Sequence, residues 1–515
     1  MSPTGPGSAP RPAGNRPLAL RALADLLGDP VQGDPATAVT GVTLASPEVR
    51  PGDLYAALPG ARTHGARFAD DAAARGAVAV LTDPAGRARA TATGLPVCVV
   101  EDPRARLGDV AARVYGEPAR RLPVIGITGT NGKTTTSYLV EAGLAAAGRA
   151  TGLIGTVQSR TRGRDGAVTA LPSVRTTPEA PVLHALLAGM AESGVDAVVM
   201  EVSSHALVQG RVGGVPFAAA GFTNLSQDHL DFHGDLESYF RAKALLFDGR
   251  AATEVVVVDD EHGRRLAGML GERAVTVSAE GAPAHWTASG IAPAPDGGSA
   301  FTVSGPGGSW PGTVRLPGRF NVTNAVLAVA LLDAVGVPVA RALEGIAATV
   351  VPGRMEPVDA GQPFTAVVDY AHTPDAVATA LAALRPATQG RLITVLGCGG
   401  DRDQGKRPAM GAAAALGSDH VVVTDDNPRS EDPAAIRAAV LAGVPAARRG
   451  AVEEVGDRRA AIARAVALAG PGDTVLVAGK GHETGQEAAG TVTPFDDRAV
   501  LREEIAAAAA GVASR

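Results

Sequence analysis

The sequence predicts an α/β protein of three domains: a small N-terminal α/β domain, a central domain built on a strand, a glycine-rich turn and a helix, and a C-terminal Rossmann-like domain. Three observations carry this prediction. At 515 residues the chain is longer than one hydrophobic core serves. Residues 122–147 pass from a short apolar strand through the turn GITGTNGKTT into a helical stretch. Beyond Pro352, four β-branched runs alternate with helical stretches, as in a doubly wound parallel sheet.

Composition narrows the class of partner. Hydrophobic residues at 45% and charged residues at 19% are the balance of an ordinary globular protein. A formal net charge of -6 gives no basic field, so neither nucleic acid nor an anionic membrane surface is expected as a partner. Cys98 and Cys398 are the only cysteines. They offer no disulfide framework and no cysteine-based metal motif, and a cytoplasmic location is expected. Apolar runs all fall short of the ~20 residues of a membrane span, so membrane insertion is not expected. Residues 1–17 lack an apolar core and read as a disordered tail, not a secretory signal.

The expected first domain, 18–122, mixes short strands and helices, with turn signals at Pro51-Gly52-Asp53 and Pro59-Gly60. The second, 123–351, opens with the glycine-rich turn. Gly126, Gly129 and Gly132 let backbone N–H groups approach an anion at a helix N-terminus, where the helix dipole favours negative charge. Lys133 would reach the outer phosphates of a nucleotide and the Thr134 hydroxyl would ligate Mg²⁺. The spacing is G-x-x-G-x-x-G-K-T, not the general P-loop pattern, because Ile127 stands where that pattern begins with glycine.

A buried-strand run at 197–200 ends in Glu201, facing the crevice where ligands bind in an open α/β sheet. The next strand, 217–223, leads to Asp228-His229 and then to a helix carrying Lys243, with Tyr239, Phe240, Leu245, Leu246 and Phe247 as its packed face. By residue type alone, Glu201 reads equally as a solvated strand end and Lys243 as a lysine snorkelling into solvent. Residues 274–319 read as short strands joined by glycine-rich turns, and 318–330 as the opening of a helix in which Asn321 and Asn324 serve as caps or as ligand contacts.

The third domain, 352–515, has strands expected at 365–369, 392–396, 420–424 and 474–477. No G-x-G-x-x-G follows its first strand, so a dinucleotide is not implied. The strand ends carry DYAHTPD, GCGGDRDQGKRP, DDNPRSEDP and AGKGHE, which are expected to converge on one crevice.

TGTNGKTT resembles the ATP-binding loop of the Mur ligase and folylpolyglutamate synthetase superfamily. With the motifs that follow, from Gly41 to Glu483, the chain resembles the Mur ligase family, MurE type. That resemblance implies a three-domain Mur ligase whose central domain is a P-loop-type ATPase. Gly129, Thr130, Asn131, Gly132, Lys133, Thr134 and Thr135 would cradle ATP. Asn324 would meet the base, and Arg354, Asp369 and His372 would approach from the third domain. Thr134, Glu201, His229 and Lys243 would serve Mg²⁺, with Lys243 carbamylated by CO₂ to N6-carboxylysine. Lys133, Lys243, His229 and Glu201 are the implied catalytic set.

In the same way, Ser46, Thr176, Thr177, Ser203, Gln209 and Arg211 would hold UDP-N-acetylmuramoyl-L-alanyl-D-glutamate. Around Ser46 the chain departs from the family pattern, with Pro47 where arginine is usual and Thr63-His64-Gly65 in place of Asp-Gly-His. DNPR, Asp426-Asn427-Pro428-Arg429, resembles the signature of family members that add diaminopimelate, with Arg402, Gly479 and Glu483 as further contacts. Diaminopimelate has a distal carboxylate that lysine lacks, and Arg429 can bind it bidentately. The implied reaction is ATP-dependent amide ligation through an acyl phosphate, by a monomer. Competing readings are a ligase for lysine or another amino acid, a folylpolyglutamate synthetase, and an ATP-driven switch that ligates nothing.

Overall fold

The computed structural model describes residues 12–171, 175–294 and 297–513. It divides into two compact units: the described parts of Met1–Leu225 with Asp235–Val277 and Leu327–Gly345, and Ser226–Gly234 with the described parts of Ser278–Val326 and Ile346–Arg515. Residues 1–11 of the expected tail lie outside the described residues. Within the remainder, the amides of Ala13 and Gly14 donate to the Glu192 carboxylate, each at 2.9 Å.

The first unit holds a two-stranded antiparallel pair, Leu18–Ala19 with Ala38–Val39, and two larger sheets. Gly41–Thr43, Asp53–Ala56, Ala79–Thr82 and Val97–Val99 pair in that order, all parallel. The other sheet runs Val168–Leu171, Ser159–Arg162, Thr151–Ile154, Ala197–Glu201, Val124–Thr128, Ala219–Phe222, Glu254–Val257, Ala274–Ser278. Its last six strands are parallel and the first two form an antiparallel edge. Strands such as VIGIT and AVVME are buried throughout, which is why they read as continuous apolar runs. One long-range approach joins the helices Pro103–Val114 and Ala180–Glu192 to the turn after Arg211. A Cβ on Gly108 would stand 2.5 Å from the Gly213 backbone, so only glycine permits this contact.

Two readings of local structure change. Gly126 lies inside the strand, where a Cβ would meet the Phe217 ring at 2.7 Å, so this glycine serves packing and does not cradle anions. Leu245 is exposed, because the helix Leu236–Ala244 tightens into a 3₁₀ turn at Leu245–Phe247 and rotates that side chain off the packed face. Tyr239, Phe240, Leu246 and Phe247 are buried as expected.

In the second unit, Trp286–Pro293, Ser299–Gly305 and Gly308–Val314 form an antiparallel meander. Its main sheet is ordered Glu356–Pro357, Thr365–Asp369, Thr474–Ala478, Leu392–Leu396, His420–Val423, Val452–Glu454, and all but the first strand are parallel. The helices Pro374–Leu384, Lys406–Gly417, Pro433–Ala442 and Arg458–Leu468 connect these strands, giving the expected Rossmann-like winding. The hairpin Gly485–Ala488 with Thr491–Pro494 follows, then the helix Asp497–Ala513.

Candidate active site

Parallel strands end on the same side of a sheet, so the turn after Val124–Thr128 and the end of Ala197–Glu201 are neighbours by register, Glu201 opposite Ile127. The chain leaves Val124–Thr128 toward Thr151–Ile154 on one side, and leaves Ala197–Glu201 toward Ala219–Phe222 on the other. This is a topological switch point, where open α/β sheets bind ligands.

At that point Gly129 and Gly132 have φ of 147° and 86°, and the helix Lys133–Ala146 begins directly after them. A Cβ on Gly129 would lie 1.8 Å from Thr223 Oγ1. The loop is braced from behind. Asn224 accepts from Thr130 N at 2.9 Å and Asn131 N at 3.0 Å, and Thr223 Oγ1 donates to the Asn131 carbonyl at 2.6 Å. Lys133 Nζ donates to the carbonyls of Gly129 and Thr130, both at 2.8 Å, which places its charge over the loop. Thr135 is buried on the first turn of the same helix.

Glu201 is 1% exposed. Its carboxylate accepts Thr134 Oγ1 at 3.0 and 3.1 Å, Thr156 N at 2.8 Å and Thr156 Oγ1 at 2.9 Å. It is therefore not a solvated strand end. A carboxylate and a hydroxyl together at a helix N-terminus are hard oxygen donors, the kind Mg²⁺ accepts while keeping water and phosphate oxygens in its shell. Among the described residues no three His, Cys, Asp or Glu side chains form a ready metal cage.

Lys243 is 1% exposed, so it does not snorkel. Its Nζ donates to the Gly129 carbonyl at 2.7 Å and lies 4.4 Å from the centre of the Tyr239 ring, whose hydroxyl accepts from Thr130 Oγ1 at 3.2 Å. Thr134, Glu201 and Lys243 thus meet on one loop. His229 falls in the second unit, exposed, with φ of 54° and Asp228 at 3.5 Å.

Thr156, which sequence reasoning missed, extends the cluster: its hydroxyl lies 3.0 Å from Thr176 Oγ1. Thr177 Oγ1 donates to the Glu201 carbonyl at 2.9 Å and accepts from Ser203 N at 3.0 Å. Arg211 Nη1 donates to the Thr177 carbonyl at 3.1 Å and Nη2 to Gln209 Oε1 at 2.5 Å. Glu179, also missed, pairs with Arg211 at 3.0 Å, Arg104 at 2.7 Å and Arg175 at 3.3 Å. Ser46 is buried, with its hydroxyl on the Asp71 carboxylate, which helps hold that acid below its usual range. His64 caps a short 3₁₀ turn, accepting from Ala66 N at 3.0 Å, with Asp83 at 2.8 Å from its other ring nitrogen.

In the second unit the four strand-end motifs do come together. Gly479 N donates to the Asp369 carbonyl at 3.1 Å, Gly400 N to the Asn427 carbonyl at 2.8 Å, and Lys406 Nζ to the His372 carbonyl at 2.8 Å. Asn427 Nδ2 donates to Glu483 Oε2 at 2.7 Å. Gly479 has φ of 116°, and a Cβ there would lie 2.6 Å from Asp426 Oδ2. Arg429 follows Pro428 with φ of 54°, and its Nη1 donates to the Gly400 carbonyl at 2.6 Å. The hairpin holds that strained backbone from both sides: Arg429 N donates to the Glu487 carbonyl at 3.0 Å and Ala489 N to the Arg429 carbonyl at 2.6 Å. Arg402 is exposed on the 397–408 loop.

Asp369 accepts from the amides of Met355 at 2.7 Å and Ala371 at 2.8 Å. Burial raises its pKa, against the pull of Arg354. Arg354 stacks over Tyr370 at 4.2 Å, and burial together with Glu483 pushes the Tyr370 hydroxyl up to about 12. His372 is held neutral to lower pH than usual by burial and by Lys406. Asn321 Nδ2 donates back to the Pro317 carbonyl at 2.8 Å, and Asn324 Nδ2 reaches Asn321 Oδ1 at 3.3 Å.

The sequence matches three profiles in the same order: "Mur ligase family, catalytic domain" over residues 38–115, "Mur ligase middle domain" over 127–332, and "Mur ligase, glutamate ligase domain" over 353–481. The chain belongs to the Mur ligase family. Within it, the chain is 57% identical to UDP-N-acetylmuramoyl-L-alanyl-D-glutamate--2,6-diaminopimelate ligase of Streptomyces avermitilis, over 96% of this chain and 98% of that protein. The Streptomyces coelicolor protein of the same name is also 57% identical, with the same coverage. A solved structure of a ligase of that name aligns with a TM-score of 0.68 at 32% identity, covering 96% of this chain and all of the other. Among the described residues no helix is long and apolar enough to cross a membrane.

Proposed function

We propose that this chain joins diaminopimelate to the D-glutamate carboxylate of UDP-N-acetylmuramoyl-L-alanyl-D-glutamate, converting ATP to ADP and phosphate, in peptidoglycan biosynthesis. The observation that carries the acceptor is the 425–429 turn. It carries a guanidinium, Arg429, bonded to the Gly400 carbonyl, and its Asn427 holds a carboxylate, Glu483, of the 478–483 strand end. A distal carboxylate and ammonium require that pair of charges. The likeness to the two Streptomyces ligases supports the same reading.

The chemistry follows from the groups present. The loop amides and Lys133 hold and neutralise the phosphates of ATP, and the Thr176–Thr177 turn with Ser203, Gln209 and Arg211 holds the nucleotide substrate. A carboxylate oxygen of D-glutamate attacks the γ-phosphorus, the bond to the β-phosphate oxygen breaks, and ADP leaves. The neutral amine then attacks the acyl carbon of the acyl phosphate; phosphate departs, and the amine's proton is released as the amide forms. Mg²⁺, when bound by Thr134 and Glu201, would offset the phosphate charge. Asn324, Arg354, Asp369 and His372 are proposed as further ATP contacts, and His229 as a further ligand near the ion. Lys243 is proposed to carry a carbamate, converting a buried cation to an anion beside the loop; the absence of a carbamate carbon-13 resonance in protein equilibrated with labelled bicarbonate would refute this.

We further propose three functional regions, 18–122, 123–351 and 352–515, acting in a monomer in the cytoplasm. Two buried, free cysteines agree with that compartment. The test of function is phosphate release across a matrix of nucleotide acceptors and amino acids. Release is expected only with Mg²⁺-ATP, the UDP-muramoyl dipeptide and diaminopimelate together. Lysine in place of diaminopimelate should give little, and release without any acceptor would favour an ATP-driven switch.

A further inference from the structure

Lys480 has no exposed surface, and its ammonium lies inside the strand-end cluster of the second unit. Its Nζ donates to Asn427 Oδ1 at 3.0 Å, Glu483 Oε2 at 3.2 Å and the Gly485 carbonyl at 2.6 Å. An ammonium has three protons, so all of them are committed within the protein. The same Glu483 oxygen takes Asn427 Nδ2 at 2.7 Å, and Asn427 Oδ1 also accepts Glu487 N at 3.0 Å. Among the described residues no hydrogen bond reaches Glu483 Oε1, and that side chain is 32% exposed. One carboxylate oxygen is pinned and the other is open to a ligand.

Local sequence explains the arrangement. Gly481, φ 52°, lets the chain double back so that Glu483 N donates to the Lys480 carbonyl at 2.9 Å. This brings the acid at i+3 over the lysine. A buried cation survives only when paired and fully hydrogen-bonded, and here its partners are residues of the amino-acid site itself.

We propose that Lys480 is a positioning residue for amino-acid recognition: by holding Glu483 Oε2 it fixes Oε1 as the acceptor for the distal ammonium of the amino-acid substrate. This rests on Glu483 reading an ammonium, as proposed above. The ammonium concerned is the distal one, because the other amine must be neutral and unencumbered to attack the acyl carbon. Lys480 touches no substrate, so its effect runs through Glu483 and Asn427.

The experiment compares diaminopimelate with 2-aminopimelate, which keeps both carboxylates and the reacting amine but lacks the distal ammonium. Lys480→Met, of similar length without charge, should raise KM for diaminopimelate by roughly 10- to 100-fold, the range of a charge-assisted hydrogen bond. KM for ATP and for the UDP-muramoyl dipeptide should stay within about twofold, since uniform effects are the mark of general damage. The preference for diaminopimelate over 2-aminopimelate should collapse, and Lys480→Met should add little once Glu483→Gln is present. If Lys480→Met does not fold, Lys480→Gln, which keeps two donors without charge, gives the same readout. Wild-type preference in either folded variant would overturn the proposal. An unchanged preference in Glu483→Gln would instead overturn the reading of Glu483 on which it rests.

Discussion

Arg429 is held by its surroundings in the way its proposed role requires. Its backbone sits at φ 54°, costly for a side chain with a Cβ, and is held there by two hairpin hydrogen bonds. The guanidinium is anchored by Nη1 on the Gly400 carbonyl, and Nε stands 3.4 Å from Glu487. Such an arginine is oriented but not fully neutralised, which suits a bidentate carboxylate partner. Arg429→Ala should therefore weaken diaminopimelate by about 2 to 5 kcal/mol, the cost of losing one side of a desolvated charge pair. Lysine, which has no distal carboxylate, should be hurt much less, and the Michaelis constant for ATP should barely move. Steady-state kinetics with both amino acids would check this; an unchanged preference for diaminopimelate over lysine would end the acceptor assignment.

At the scale of elements, the strand ends are held by buried polar anchors. Arg458 and Asp497 have no side-chain exposure and form a bidentate pair, both bonds 2.7 Å. The same guanidinium donates to the carbonyls of Ala478 at 3.0 Å and Asp425 at 3.3 Å, the residues just before Gly479 and Asp426. The C-terminal helix thereby fastens two of the strand ends proposed to bind the amino acid. Asp497→Ala leaves a buried arginine unpaired and should destabilise the second unit by about 3 to 5 kcal/mol, read as a lowered urea midpoint; a loss under about 1 kcal/mol would show the pair to be dispensable. None of this was legible in the sequence, where Arg458 and Asp497 look like ordinary helix-surface charges. What was legible had local signals: the strand, glycine turn and helix around Lys133, and four third-domain strands placed within a residue of their observed ends. The short strand Val452–Glu454 was missed because three residues carry no period. Thr156 and Glu179 act through partners distant in sequence, and Gly126 looked like part of the turn because only the tertiary contact with Phe217 reveals its packing role.

Over the whole molecule, three histidines held neutral, His184 fully buried and His372 and His482 half-buried, couple stability to pH. His184 has no exposed surface; one ring nitrogen bonds the Gly213 carbonyl at 2.9 Å, the other has no partner, and burial brings its pKa down to about 4. His482 is lowered to about 3 by burial and then by Arg354, and His372 is lowered by burial and then by Lys406. In the unfolded chain each would titrate near 6.5. As pH falls below that value the unfolded state takes up protons that the folded state refuses, so stability is lost between about pH 6.5 and 4. His184 and His482 each contribute up to about 1.4 kcal/mol per pH unit across that window, and His372 acts in the same direction. Asp369, raised by burial, works in the opposite direction near the acid end, because there the folded state keeps a proton that the unfolded state has released. The net expectation is a urea midpoint that drops steadily from about pH 7 to pH 5, well above the range in which the low-pKa carboxylates titrate. His184→Gln, which can keep a donor for the Gly213 carbonyl without a titrating ring, should flatten the pH dependence of the first unit and leave that of the second intact. A midpoint independent of pH over this interval, or one that rises as pH falls, would mean that these histidines are not neutral in the folded protein.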